Sequence, residues 1–295
     1  MSRWNDVAVQ GVGTSMFGKQ PEISGPELVR TAVFEALDDA GRPEIDAVFA
    51  GTVFGAPGTI QRALQTCGIT EVPIITIENA CASGTSAFHE ACRAVDSGQF
   101  EHVLAVGVET MTLHFGGAIH PEETDSEGRQ GMAMPTIYGM SANRNMHEYG
   151  VTAGQLASVS VKTHRHAVGN DRAQHQTVVD VEEVLASRMI ADPLTLLQCC
   201  SIADAAAAPV IGRKRPGERD VSVRASVLRS GKLWDHRSRH VWGWEIVNAT
   251  AEQAYADAGV TAADIDVLEV HDAFTIGEIV TIGALGLAPL GEGGA

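Results

Sequence analysis

The chain has 295 residues, of which 44% are hydrophobic and 20% are charged, and its formal net charge is −16. These values are typical of a globular protein with one large or two modest domains. The acidic balance and the lack of a long run of Lys or Arg argue against a nucleic-acid partner. No apolar run has the length of a membrane span, and the first six residues are too polar for a signal peptide.

The cysteines indicate the compartment. Their spacing does not match a metal site, and no secretory segment precedes them. We therefore expect free thiols in a reducing compartment, which predicts a cytoplasmic protein without a metal. The five positions are Cys67, Cys81, Cys92, Cys199 and Cys200.

The first half of the chain alternates strand-like and helix-like segments. The patterns predict strands at 7–12, 47–50, 73–77 and 102–107, and helices at 27–41, 59–67 and 82–97. Such an alternation is typical of an α/β fold with a mostly parallel sheet that is covered by helices on both faces.

Cys81 stands at the sharpest of these junctions. The apolar, β-branched run that begins at Pro73 ends in Asn79-Ala80-Cys81, and a helix of small residues follows. The amides and the positive dipole end of a helix N-terminus favour a thiolate, so Cys81 is a candidate nucleophile. The alternative is a small buried hydrophobic residue, which is the usual role of a cysteine.

Residues 113–198 are rich in Gly, Met, His and charged residues, which indicates an insertion between the two halves. Helical segments are predicted at 141–149 and 153–166. Histidines at this spacing are more typical of solvated or capping groups than of metal ligands. The basic residues are compatible with a phosphate site, but a solvated helix face is the favoured interpretation. These residues are His164, His166, His175, Lys162, Arg165 and Arg172.

The chain also repeats itself at an offset of 218 residues. The helix that ends at Gly41 corresponds to a second one that ends at Gly259, and each is followed by an Ile-Asp pair and an apolar stretch. The second apolar stretch, Val267–Val270, is therefore predicted to be a strand. The repeat indicates two related α/β halves.

His271 directly follows this predicted strand. Ligands of open α/β sheets bind at the carboxyl ends of strands, where a histidine can donate to an oxyanion or transfer a proton. The alternative is a histidine that satisfies a nearby backbone carbonyl. Together, Cys81 and His271 suit acyl transfer through a thioester.

Several motifs, spread along the whole chain, give it a clear resemblance to the thiolases, and above all to the sterol-carrier-protein-type branch. They are Glu78–Gly84, Gly107–Met111, His147–Gly150, Met189–Leu194 and Glu269–Phe274. The resemblance implies that Cys81 accepts the acyl group and that His271 contributes to the oxyanion hole. It further implies a dimer, acyl-coenzyme A substrates and no metal. Coenzyme A would be a substrate and not a bound cofactor.

The implied fold is a thiolase fold of two βαβαβαββ halves in five layers, with an inserted loop domain. We assign 1–112 plus 199–214 to the first half, 113–198 to the loop domain and 215–295 to the second half. The Gly-His-Pro and Cys-x-Gly motifs of the family are not present in the sequence. We therefore expect an incomplete second half, which is either a fragment or completed by a partner chain. A dimer is expected to hide the sheet edge near Leu104.

The resulting prediction for the intact enzyme is thiolytic cleavage of a 3-ketoacyl-coenzyme A, or the reverse condensation, through an acyl-cysteine. The 295-residue chain alone is expected to show at most trace turnover. One alternative is a thiolase-like aldolase subunit that cleaves a β-hydroxyacyl-coenzyme A side chain together with an OB-fold partner. Another is a non-catalytic subunit that binds acyl-coenzyme A or lipid.

Overall fold

A computed structural model describes residues 4, 6–117, 119, 124–232, 237, 238 and 240–294. The strands are β1 Val7–Thr14, β2 Ala47–Gly51, β3 Ile74–Ile77, β4 His102–Thr110, β5 Met189–Ala191, β6 Leu194–Thr195, β7 Asp204–Arg213 and β8 Val221–Ser222. The α-helices are α1 Gly25–Ala40, α2 Thr59–Thr66, α3 Ser83–Asp96, α4 Met134–Tyr149, α5 Ala153–Val168, α6 Val181–Ala186, α7 Trp244–Ala258 and α8 Thr275–Ala284.

The chain divides into two compact units. The first contains residues 1–117, 172–174 and 202–228, and the second contains 118–171, 175–201 and 229–295. The threefold division into two halves and a loop domain stays a prediction.

The first unit is built on a six-stranded sheet with the order β3-β2-β4-β7-β1-β8. Only the pairs β2–β3 and β2–β4 are parallel, whereas β4–β7, β1–β7 and β1–β8 are antiparallel. The expectation of a mostly parallel sheet was therefore wrong. The reason lies in the long excursion after β4: the chain leaves at Thr110 and re-enters at its register partner Asp204, so β7 must run back along β4.

Helices cover both faces of this sheet. A hydrophobic core lies on each face of the sheet, and successive residues of β2 point into opposite cores. Val48 and Ala50 pack with α1 and α2, whereas Ala47 and Phe49 pack with α3. Along the chain the unit reads βαβαβαββ, followed by the short β8, so the predicted element order of the first half is confirmed.

Among the described residues, β3 and β8 are the two edge strands of the sheet, and β3 pairs with β2. Ile75 of β3 is 49% exposed, whereas Leu104 of β4 is fully buried between two neighbouring strands. The expectation of an edge near Leu104 was wrong.

The repeated helices are confirmed as α1 and α7. Both end on a glycine in the left-handed region, Gly41 with φ 82° and Gly259 with φ 65°. The strand predicted after α7 is not confirmed. Residues Val267–Val270 belong to no strand and Val267 is 79% exposed, because no strand among the described residues pairs with this segment.

The second unit has a helical core. Apolar residues of α4, α5 and α8 pack together with Leu194, Val241 and Phe274. The described residues of the second unit form one small sheet, a hairpin of β5 and β6. In the part of the chain that the structure describes, no helix is long and apolar enough to cross a membrane.

Candidate active site

Cys81 lies in the turn between β3 and α3, as the sequence predicts. It is exposed and directly precedes Ala82, the N-cap residue of α3. Ala80 has φ 47°, in the left-handed region that residues with a Cβ rarely occupy. Such strain is typical of functional turns. The chain thus turns sharply enough to present Cys81 at the helix N-terminus.

Short hydrogen bonds hold this turn. The Asn79 amide donates to Ser83 Oγ at 2.8 Å, and Ser83 Oγ donates to the Ala80 carbonyl at 2.6 Å. Asn79 Nδ2 donates to Ser86 Oγ at 2.9 Å, and the Ala80 amide donates to Glu78 Oε1 at 2.7 Å. Residues on both sides of Cys81 are therefore fixed.

Two glycines of the sheet lie beneath this helix terminus. Gly51 of β2 and Gly107 of β4 are register partners on neighbouring strands. A Cβ on Gly107 would lie 3.6 Å from the Cα of Gly84 in α3. The glycine pair lets the first turn of α3 lie directly on the sheet, which sets the height of Cys81 above it.

Three of the other cysteines lie in less reactive surroundings than Cys81. Burial raises the pKa of the Cys92 thiol to about 12 and that of Cys199 to about 11, and it also raises the pKa of Cys67. Cys200 is exposed. The five cysteines, all of which the structure describes, form no disulfide.

His271 belongs to the second unit, whereas Cys81 belongs to the first. The residues after His271 are firmly anchored. Phe274 is 4% exposed and stacks on Tyr138 with ring centroids 4.5 Å apart, and the Ala273 carbonyl accepts a hydrogen bond of 2.8 Å from the Cys200 amide. His271 therefore lies at the start of a rigid corner that leads into α8.

An ionic cluster flanks this corner. Glu278, in the first turn of α8, is 7% exposed, and Lys162 of α5 donates to both of its carboxylate oxygens at 2.5 and 2.6 Å. Burial, together with the negative charge of Glu278, raises the pKa of Asp272, the residue next to His271.

A cavity of about 1230 Å³ opens beside His271 within the second unit. Aromatic and basic residues line it, among them Tyr138, Trp242, Trp244, Arg229, Lys232 and His271. This volume is large enough for a bulky ligand.

The remaining sequence candidates make local contacts. His164 is buried and its Nδ1 lies 3.0 Å from the Thr177 carbonyl oxygen, so it is not a solvated group, whereas His166 is exposed. Among the described residues, no cluster of His, Cys, Asp or Glu could hold a metal ion.

Two basic residues of the predicted patch, Lys162 and Arg172, are engaged in ion pairs with carboxylates. Lys162 is bound to Glu278, and Arg172 makes a bidentate pair with Glu35 at 2.6 Å for each bond. The two cations belong to different units.

Sequence reasoning did not find the residues that support the turn. Ser83, Ser86, Gly51 and Gly107 act through neighbours that the strand and helix patterns do not reveal. The available signal was a glycine near the carboxyl end of two buried strands, which often marks a close backbone approach.

Comparison with known families gives two matches. The family model described as "Thiolase, N-terminal domain" matches residues 8–215, and the one described as "Thiolase C-terminal domain-like" matches 233–295. The thiolase resemblance is thereby confirmed.

Three curated relatives are similar to the chain. The benzoylsuccinyl-CoA thiolase subunit BbsB of Thauera aromatica is 38% identical, over 97% of this chain and 77% of the relative. An acetyl-CoA acetyltransferase of Methanothermobacter thermautotrophicus is 36% identical, over 98% of this chain and 79% of the relative. Bovine sterol carrier protein 2 (Bos taurus) is 31% identical over 98% of this chain, which spans 58% of that protein.

Two solved structures share the fold. The Ltp2-ChsH2(DUF35) aldolase matches with a TM-score of 0.84 at 24% identity. The match covers 98% of this chain and 79% of the aldolase chain. Human mitochondrial 3-ketoacyl-CoA thiolase in complex with CoA matches with a TM-score of 0.72 at 17% identity. The match covers 98% of this chain and 84% of the thiolase chain. The predicted α/β thiolase fold is confirmed.

Proposed function

Because the chain belongs to the thiolase family, we propose that it transfers the acyl group of a coenzyme A thioester through a covalent intermediate on Cys81. The observation that carries this proposal is the position of Cys81, which is exposed in a strained turn at the N-terminus of α3. A helix N-terminus stabilises a thiolate, and the thiolate is the nucleophilic form of cysteine.

The proposed reaction is the cleavage of a 3-ketoacyl-coenzyme A. The Cys81 thiolate attacks the 3-keto carbon, and the bond between C2 and C3 breaks. The shortened acyl group stays on sulfur as a thioester, and the C2 carbanion takes a proton to become acetyl-coenzyme A. A second coenzyme A thiol then attacks the acyl-cysteine, which releases the shortened acyl-coenzyme A and restores Cys81.

His271 is proposed as a donor to the oxyanion that forms at the thioester carbonyl. The rigid corner formed by Ala273 and Phe274 supports this role, because a preorganised donor does not have to move during the reaction. The alternative role, a local bond to backbone, predicts that His271 affects stability and not rate.

A second candidate is an aldolase that works with a partner subunit. It is favoured by the TM-score of 0.84 with the Ltp2-ChsH2(DUF35) aldolase and by the word "subunit" in the name of the Thauera relative. An aldolase would cleave a β-hydroxyacyl-coenzyme A side chain and would not need Cys81 as an acyl acceptor. An OB-fold protein that co-purifies would support it.

The test is mass spectrometry of the protein after brief incubation with acetoacetyl-coenzyme A or acetyl-coenzyme A and an acid quench. We expect an acetyl adduct on the peptide that contains Cys81, and its loss in Cys81→Ser. Cys200→Ser is the matched control and should keep the adduct. An adduct elsewhere, or none, would contradict the acyl-cysteine and favour the aldolase or a non-catalytic subunit that binds acyl-coenzyme A.

We also propose a homodimer in the cytoplasm. The exposed edge strand β3 supports the dimer, since an open strand edge invites pairing with a second copy. Cysteines without disulfides support a reducing compartment.

A further inference from the structure

Ser83 bridges the two sides of the Cys81 turn. Its hydroxyl accepts from the Asn79 amide at 2.8 Å and donates to the Ala80 carbonyl at 2.6 Å. Both partners precede Cys81, whereas Ser83 is the first residue of α3. One side chain thus ties the incoming backbone to the helix that carries the dipole.

The turn needs such a tie because Ala80 is strained. A residue with a Cβ at φ 47° would relax to the right-handed side unless its surroundings held it. The Ser83 amide donates to the same Ala80 carbonyl at 3.0 Å, so amide and hydroxyl converge on one oxygen. Ser83 is 4% exposed, which protects these bonds from competition by water.

We propose that Ser83 is a positioning residue for Cys81: its hydroxyl holds Ala80 in the left-handed conformation and thereby keeps the Cys81 sulfur at the N-terminus of α3. This inference rests on the proposed nucleophilic role of Cys81. It adds a requirement that the helix terminus alone does not impose, since α3 could begin at Ser83 while the residues before it adopted a relaxed path.

The experiment measures the rate of iodoacetamide alkylation of Cys81, with Cys200 of the same sample as the internal reference. In Ser83→Ala we expect the ratio of the Cys81 rate to the Cys200 rate to fall about fivefold to tenfold, the effect of losing one or two hydrogen bonds. Ser97→Ala is the matched control. Ser97 Oγ donates to the Ala94 carbonyl at 3.0 Å at the other end of α3, so this variant removes a hydroxyl from the same helix and should leave the ratio unchanged.

Two rescues separate positioning from general stability. Ser83→Thr keeps the hydroxyl and should retain the ratio. Adding Ala80→Gly to Ser83→Ala removes the cost of the positive φ and should restore much of the ratio, although no hydroxyl returns. A merely structural role for Ser83 would not be repaired by a glycine three residues away.

An unchanged ratio in Ser83→Ala, or a reduced ratio that Ala80→Gly leaves as low as before, overturns the proposal. Alkylation requires no acyl-coenzyme A, so its outcome is independent of the proposed reaction. A protein whose Cys81 is never acylated but whose ratio responds to Ser83 would refute the proposed function alone. If Cys81 were acylated equally well and alkylated equally fast in the wild type and in Ser83→Ala, the positioning role alone would be refuted.

Discussion

Gly51 lies against the backbone of Ser83 so closely that a Cβ on Gly51 would stand 2.3 Å from the Ser83 carbonyl carbon and 2.4 Å from its oxygen. Backbone atoms cannot rotate away as a flexible side chain can. The end of β2 and the start of α3 are therefore in contact through main chain, and glycine at position 51 is what allows it.

Gly51→Ala should move the first turn of α3 and destabilise the protein by about 1–3 kcal/mol, the usual cost of overpacking. The Cys81 alkylation rate should fall in the same variant, because the turn is joined to Ser83. Urea unfolding and peptide mapping measure the two effects. Gly18→Ala is the control, since a Cβ there meets open space. A stable Gly51→Ala with normal Cys81 reactivity would contradict the close contact.

Cys81 should be the first of the five cysteines to react with iodoacetamide near neutral pH. It is exposed at a helix N-terminus, whereas burial raises the pKa of Cys92 to about 12 and that of Cys199 to about 11. Brief alkylation followed by peptide mapping gives the order. The exposed Cys200 is the competitor, and its labelling ahead of Cys81 would remove the reason for the nucleophile assignment.

His271→Ala should slow acyl transfer about 100-fold while the fold stays intact, as expected for the loss of one oxyanion donor. Steady-state kinetics and circular dichroism test this together. His166→Ala, an exposed histidine on α5, serves as the control. An unfolded His271→Ala would favour the local structural role, and a fully active one would exclude His271 from the site.

Asp204 is a buried carboxylate that fastens two loops of the first unit. It accepts from the Thr112 amide at 2.9 Å, from the Thr112 hydroxyl and from the Gln20 amide at 2.8 Å. Asp204→Ala leaves these donors without an acceptor and should cost about 1–3 kcal/mol of the free energy of unfolding. Asp38→Ala, which breaks an exposed pair with Arg42, should cost less than about 1 kcal/mol. Equal costs in urea unfolding would refute this difference.

Acid should destabilise the first unit through Glu35. Hydrogen bonds from the Arg172 side chain, and then from the Thr14 amide, lower the pKa of Glu35 from 4.5 to about 2. Because the pKa of Glu35 is lower in the folded protein than in the unfolded chain, its charged form stabilises the folded state at pH values above about 4.5. This stabilisation is lost as the pH falls from about 4.5 through about 2. Glu35→Gln should therefore be less stable at pH 7 and lose less on acidification, whereas Glu22→Gln should behave like the wild type. If the urea midpoints of the wild type and of Glu35→Gln fell by the same amount on acidification, the prediction would be contradicted.

Light scattering should give at least twice the chain mass of 31.1 kDa. Ile75→Lys places a charge on the open edge strand β3 and should yield monomers, because charge on an edge blocks strand pairing. Val221→Lys, on the opposite edge strand β8, is the matched control and should stay dimeric. A natively folded monomer of the unaltered protein would count against pairing through β3.

Local sequence patterns predicted the helices α1, α2 and α3 and the strands β1, β2, β3 and β4 to within a few residues, and they located Cys81 at the junction of β3 and α3. The strand β7 was not predicted. The predicted features depend on local patterns: apolar period, small residues, and a glycine such as Gly41 at a helix end. The thiolase motifs are equally local, because each is a short run of residues.

Tertiary structure alone decided what depends on neighbours distant in sequence. The antiparallel return of β7 follows from Thr110 meeting Asp204, and the lack of a ladder at Val267–Val270 follows from the lack of a pairing strand beside it. The contact of Gly51 with Ser83 joins residues 32 positions apart, and the pairing of Lys162 with Glu278 joins residues 116 apart. A one-dimensional pattern carries no distance between such residues, so only the folded chain could reveal which of them hold the site.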